Sequence, residues 1–260
     1  MWGAKKRFLD PELEEWHIAC WGWLMRHLGG VDALRETTLV LPTAEFFPRP
    51  KGEGREVADA IFTRVRELMG LEQWPCELVE REDTNAEVGE FLRLQPAGKP
   101  VAGTFENDGG NVVITYAPDL VRRPYNLIAT FAHELAHFVL HTIPELPPGA
   151  DVEPIAEELA TELAVAYFGF GLMAANGAFE FEQYQDAGRM GWRGGSWGYF
   201  SEDGWCFAIA VFLTLRGEAP ELAKKHLKPH LAKKLDAALA RLAAAPDLLA
   251  PLRQVSSNRD

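Results

Sequence analysis

Hydrophobic residues recur at helical spacing over six stretches of the chain. An apolar position every third or fourth residue predicts an α-helix with one buried face. Proline suits the first turn of a helix and glycine its end, so Pro11 and Gly29 mark the bounds of the first stretch. The predicted helices are 11–28, 55–69, 125–141, 154–168, 204–216 and 219–245.

Shorter apolar runs lie mainly in the first half of the chain. They predict strands at 37–43, 76–80, 89–95, 101–105 and 111–117. The turn sequence at 107–110, Asn-Asp-Gly-Gly, predicts that the last two strands form a hairpin. Strands followed by helices are typical of an α+β protein. We therefore predict a single domain over 1–260, with a small, mostly antiparallel sheet in a helix and β-rich part (1–123) and a helical part (124–260).

The composition narrows the classes of partner. The chain is 47% hydrophobic and carries a formal net charge of −12, with no dense basic block, which argues against nucleic-acid binding. Its longest apolar run, 205–215, is shorter than the roughly 20 residues that span a bilayer. The three cysteines, Cys20, Cys76 and Cys206, form no CxxC and are typical of reduced thiols. These features predict a soluble, cytoplasmic protein with no membrane partner.

The predicted helix 125–141 contains histidines and a glutamate inside an apolar run. Buried imidazoles and carboxylates are costly unless something binds them. His133 and His137 lie four residues apart, so both rings share one face of the helix. With Glu134 between them they form HExxH, in which two imidazoles bind Zn²⁺ and the glutamate accepts a proton from metal-bound water. His141 lies one turn further and is predicted to stay outside the ligand set.

A third ligand is expected on the next helix, 154–168. A helical wheel places Glu162 inside the apolar stripe of that helix, Glu158 at its margin and Glu157 on the opposite side. An unpaired carboxylate facing the core is costly, whereas one bound to a metal or to a ligand histidine is not. Glu158 and Glu162 are therefore the candidate pair, and Glu157 is predicted to face solvent. The stripe consists of Ile155, Leu159, Leu163 and Ala166.

HELAH at 133–137 followed by ELATE at 158–162 resembles the gluzincin metallopeptidases, whose HExxH precedes an ExxxD. The resemblance implies a zincin-like fold in which the edge strand that lines the cleft corresponds to 111–117. It also implies that Glu158 is the third ligand and that Glu162 bonds a ligand histidine, although the family has Asp there and the two roles could be exchanged. The segments "LPTAEFFP" and "YFGFGLMAAN" further resemble uncharacterised bacterial HExxH proteins.

These patterns predict a metallopeptidase with one Zn²⁺ per chain, Glu134 as general base, and a peptide or protein substrate. An alternative is a non-catalytic regulatory or interaction protein that retains the zincin fold and its metal. A third hypothesis is a helical scaffold in which HExxH is accidental. The intact Glu134 favours the enzyme, because a structural metal site does not need a general base. The candidate oxyanion donors, among which we make no choice, are Tyr167, Tyr184, Arg193, Tyr199 and His226.

Overall fold

A computed structural model of the chain describes residues 8–80, 95–96, 112–177 and 200–256. Within these ranges the secondary structure is mostly helical. The helices are α1 (Pro11–His27), α2 (Gly30–Glu36), α3 (Arg55–Met69), α4 (Pro124–Leu140), α5 (Ile155–Tyr167), α6 (171–177), α7 (Glu202–Arg216), α8 (Pro220–His226) and α9 (Pro229–Ala243). The strands are β1 (Cys76–Glu80), β2 (Gln95–Pro96) and β3 (Val112–Tyr116). Short 3-10 helices lie at Pro118–Arg122, Pro246–Leu249 and Leu252–Gln254.

Among the described residues the sheet has three short strands, and its main pairing is parallel. β1 and β3 pair in parallel along their whole length, from Cys76 beside Val112 to Glu80 beside Tyr116. The two-residue β2 pairs antiparallel with the start of β3. The predicted zincin-like α+β fold with a mostly antiparallel sheet is therefore wrong. Alternation of buried and exposed residues predicts a strand such as β3, but it does not indicate whether the neighbouring strand runs parallel or antiparallel.

The order of the strands also corrects the expectation of an edge strand at 111–117. β3 is the central strand, between β1 and β2, so it is not an edge of the sheet. The predicted strand 101–105, most of the strand 89–95 and the hairpin turn at 107–110 lie outside the described residues.

The predicted strand at 37–43 is not a strand: residues 38–41 have no regular secondary structure, and bends lie at 37, 42 and 43. Leu39 and Val40 are nevertheless buried, and Val40 donates its N–H to the carbonyl of Gly169, just after α5, at 3.0 Å. The two segments lie so close that a Cβ at Gly169 would come within 2.1 Å of the Thr38 carbonyl oxygen. Gly169 also has φ +87°, a conformation that favours glycine. The apolar run was thus a buried connection rather than a strand.

The predicted helix 219–245 is two helices, because Pro229 starts a new one. Proline disfavours helical geometry in the residue before it, and Lys228 is extended with ψ 146°. Asn176, which lies in α6, stabilises the break between α8 and α9. Its Nδ2 donates to the His226 carbonyl at 2.8 Å, and its Oδ1 accepts from the Lys228 N–H at 3.0 Å. The other five predicted helices are confirmed to within two residues at each end.

The apolar core forms one cluster that extends from Leu9 in sequence to Leu252. Distant parts of the chain are tied across it by polar contacts. Arg241 of α9 donates to both carboxylate oxygens of Glu14 in α1. Its Nε lies 2.8 Å from Oε2, and its Nη2 donates to Oε1. Glu14 is buried, so this bidentate pair satisfies a charge that would otherwise be costly.

Within the described residues, none of the helices has both the length and the apolar character needed to cross a membrane.

Candidate metal centre

The candidate site lies where α4 packs against α5. Pro124 occupies the first turn of α4, and the helix buries Leu127, Phe131 and Leu135 in the core. This face fixes the rotation of α4, so the neighbouring face directs His133 and His137 towards α5. The rings are in edge contact, with centroids 4.7 Å apart.

Three predicted ligands converge at this contact. The Oε2 atom of Glu158 lies 3.2 Å from Nε2 of His137 and 3.5 Å from Nε2 of His133. The ligand atoms of His133, His137 and Glu158 all lie within 4.8 Å of one another, so these residues could hold a metal ion. They form the one group of this kind among the described residues.

The spacing can be compared with metal geometry. Bonds of about 2.0–2.2 Å at tetrahedral angles place neighbouring ligand atoms roughly 3.3–3.6 Å apart. Of the two nitrogen–oxygen distances, 3.5 Å lies within that range and 3.2 Å lies just below it. The donor set of two imidazoles and one carboxylate therefore fits a small divalent cation, with a fourth position left for water or substrate.

The remaining nitrogen of each ring faces a polar group on α5. Nδ1 of His133 lies 3.6 Å from Oε2 of Glu162, whose side chain is largely buried. Nδ1 of His137 lies 3.1 Å from the hydroxyl of Thr161. Such outer partners fix the ring orientation and the tautomer of ligand histidines. Our sequence reasoning missed Thr161, although a buried threonine between Glu158 and Glu162 in an Ala/Leu-rich helix was a usable signal.

The charges at the site shift the pKa values of its members in the metal-free protein. Burial lowers the pKa of His133, but the carboxylates of Glu162 and Glu158 outweigh it and raise the pKa well above 6.5. Burial lowers the pKa of His137. Hydrogen bonds from the two histidines hold the pKa of Glu158 far below its ordinary value. A carboxylate that stays ionised next to two imidazoles is suited to receive a cation.

Glu134 lies on α4 between the two histidines and is 4% exposed. Burial raises the pKa of its carboxyl group to about 8, with His133 opposing the shift. A cation bound to the neighbouring ligands would favour the ionised carboxylate and lower this pKa, so that the group could accept a proton. Glu134 is therefore suited to proton transfer beside the candidate metal position.

Two predicted bystanders lie outside the ligand set. Glu157 is exposed, as the helical wheel predicted. His141 is also exposed, and its Nδ1 donates to the carbonyl oxygen of His137 at 2.8 Å. His141 does not belong to the group that could hold the ion.

The structure describes two of the candidate oxyanion donors, and both contact other regions. The hydroxyl of Tyr167 donates to the Leu28 carbonyl at the end of α1. His226 ends α8, where its carbonyl accepts from Asn176. Tyr184, Arg193 and Tyr199 lie outside the described residues.

No known protein family matches this chain, and neither a curated protein nor a solved structure is detectably similar to it.

Proposed function

We propose that this protein is a zinc-dependent metallopeptidase that acts on a peptide or protein substrate and holds one zinc ion per chain. The observation that supports this most is the convergence of His133, His137 and Glu158, whose ligand atoms lie within 4.8 Å of one another, with Glu134 buried on the same helix as the two histidines. The motif pattern resembles that of the gluzincin peptidases, which supports the same assignment.

The choice of zinc follows from the ligand types. Imidazole nitrogen and carboxylate oxygen are common ligands of catalytic zinc, which typically has three protein ligands and one open position. Magnesium and calcium prefer sets made of oxygen atoms only. Two neutral imidazoles and one carboxylate leave a zinc site with a net charge of about +1, which preserves its Lewis acidity.

When bound, zinc would lower the pKa of its water towards about 7 and polarise the carbonyl of the scissile bond. His133, His137 and Glu158 would hold the ion in place. Glu134 would accept the proton of the water and deliver it to the leaving amine. Its position between the two ligand histidines on α4 supports this role.

We also propose a cytoplasmic location, which the three free cysteines support. The competing hypothesis, a non-catalytic metal-binding regulator, predicts the same metal content but no hydrolysis. Glu134 distinguishes the two, because a purely structural site does not require a buried acid next to its ligands.

The decisive experiment compares Glu134→Gln with the parent protein. We expect both to retain about one zinc per chain, and the variant to cleave a peptide library 10²–10⁴-fold more slowly, approximately the contribution of general base catalysis. Glu157→Gln changes an exposed acid one helix away and should cleave like the parent. If the zinc-loaded parent protein cleaves no member of the library, the metallopeptidase proposal is wrong and the regulator hypothesis is favoured.

A further inference from the structure

The hydroxyl of Thr161 lies between a candidate ligand and the backbone of its own helix. Its Oγ1 is 3.1 Å from Nδ1 of His137 and 2.9 Å from the carbonyl oxygen of Glu157. Thr161 is 1% exposed, so bulk water does not compete for its hydroxyl. These two protein groups therefore determine where its single hydrogen points.

The direction of the hydrogen bonds follows from the chemistry of the partners. A hydroxyl group has one hydrogen and two lone pairs, whereas a carbonyl can only accept. If Thr161 donates to the Glu157 carbonyl, its oxygen can accept the Nδ1–H of His137. When a metal ion is bound, Nε2 of that ring then carries the lone pair and can ligate it. Without the ion, Nε2 lies 3.2 Å from Oε2 of Glu158, to which it can only donate. In the other tautomer, a proton on Nε2 would occupy the side of the ring that faces the metal position.

The contact with His137 distinguishes Thr161 from other threonines in helices. Threonine hydroxyls often bond the carbonyl four residues earlier. Thr63 bonds the Asp59 carbonyl and Thr214 bonds the Ala210 carbonyl in this way. The backbone bond of Thr161 is therefore ordinary, and it holds the hydroxyl at a fixed position beside the imidazole.

We infer that Thr161 is the positioning residue of His137, whose hydroxyl keeps the ring proton on Nδ1 and so presents Nε2 to the metal ion. The two ligand histidines are thus supported differently, His133 by the carboxylate of Glu162 and His137 by a neutral hydroxyl. This inference rests on the metal centre of the proposed function but does not depend on peptide hydrolysis.

The first test measures zinc affinity by competition with a chromophoric chelator. Thr161→Val keeps the shape of the side chain but removes the hydroxyl, and we expect the Kd for zinc to rise roughly 10–100-fold, as for other outer partners of ligand histidines. Thr161→Ser restores the hydroxyl and should restore the Kd. Thr214→Val, which loses only an ordinary backbone bond, should bind zinc like the parent. A Thr161→Val protein with the parental Kd overturns the inference.

The second test observes the ring proton directly in the zinc-loaded protein by NMR of ¹⁵N-labelled histidine. In the parent protein, the Nδ1–H of His137 should exchange slowly with water, and in Thr161→Val it should exchange rapidly. If Thr161→Val does not fold, the parent spectrum still decides, because a freely exchanging Nδ1–H overturns the inference.

The outcome is separable from that of the proposed function. A parent protein that cleaves no peptide, yet loses zinc affinity and Nδ1–H protection on Thr161→Val, supports the role of Thr161 and contradicts the peptidase. A parent protein that binds no zinc overturns both.

Discussion

Two regions of this protein bury imidazole side chains, and they do so in opposite ways. At the metal centre, each ring nitrogen of His133 and His137 faces an oxygen of α5 at 3.1–3.6 Å. In α1, His17 is fully buried, and neither of its nitrogens has a hydrogen-bond partner among the described residues. Its ring instead stacks on Phe200, with centroids 4.7 Å apart, and meets the edge of Phe207.

The difference shows what separates a candidate ligand from a core residue. Burial without partners lowers the pKa of His17 to about 3, so the side chain stays neutral and packs as an aromatic ring. The rings at the metal centre are buried among oxygen atoms, which orient them. A histidine inside an apolar helix therefore indicates a ligand only when partners on a neighbouring element converge on it.

The largest expected effect is on metal affinity. His137→Ala removes a ligand atom, and we expect the zinc Kd to rise by more than the roughly 100-fold upper range for outer partners. His17→Phe replaces a ring that packs only on apolar neighbours and should leave the Kd unchanged. Competition with a chelator measures both values. Comparable losses of affinity in the two variants would remove the distinction between the two regions.

The next effect is on stability as a function of pH. Below pH 6.5 the unfolded chain binds a proton at residue 17, whereas folded His17 binds one only near pH 3, so stability falls as the pH falls. The slope is half-maximal at pH 6.5 and approaches about 1.4 kcal/mol per pH unit below it, so roughly 2 kcal/mol is lost between pH 6.5 and 4.5. In urea unfolding of the metal-free protein, the His17→Phe variant should lack the part of the pH dependence of stability that comes from residue 17. A parent protein and variant with equal pH slopes would contradict the picture of a neutral, unpartnered ring.

The smallest expected effect concerns the outer partner of His133. Glu162→Ala removes the carboxylate that faces Nδ1 and should raise the zinc Kd roughly 10–100-fold, less than the loss of a ligand. Glu157→Ala is the matched control on the same helix, because that side chain is exposed, and it should bind zinc normally. An effect of Glu162→Ala as large as that of His137→Ala would mean that Glu162 is itself a ligand.

The helical framework was largely accessible from the sequence because its signals are local. Pro11 and Pro124 start helices where predicted, and the apolar stripe of α5 correctly placed Glu157 in solvent. His133 and His137 lie together because helical spacing fixes which side chains share a face. The wheel left Glu158 and Glu162 as a pair, and the gluzincin resemblance singled out Glu158, which the structure places beside both rings.

The failures depended on partners distant in sequence. The apolar run at 37–43 could not be distinguished from a strand without knowing that Val40 bonds the backbone at Gly169. The parallel pairing of β1 with β3 joins segments separated by more than thirty residues, and hydrophobic alternation is the same for either direction. Thr161 was missed because its importance depends on the position of a ring on another helix.

Glu14 and its partner Arg241 are 227 positions apart in the chain. During synthesis, α1 leaves the ribosome long before the guanidinium that neutralises its buried carboxylate has been translated. A chain that is cut or arrested before α9 therefore carries an uncompensated negative charge in its first helix, which opposes docking of that helix onto the core. Docking of α1 onto the core with its buried carboxylate paired therefore requires α9.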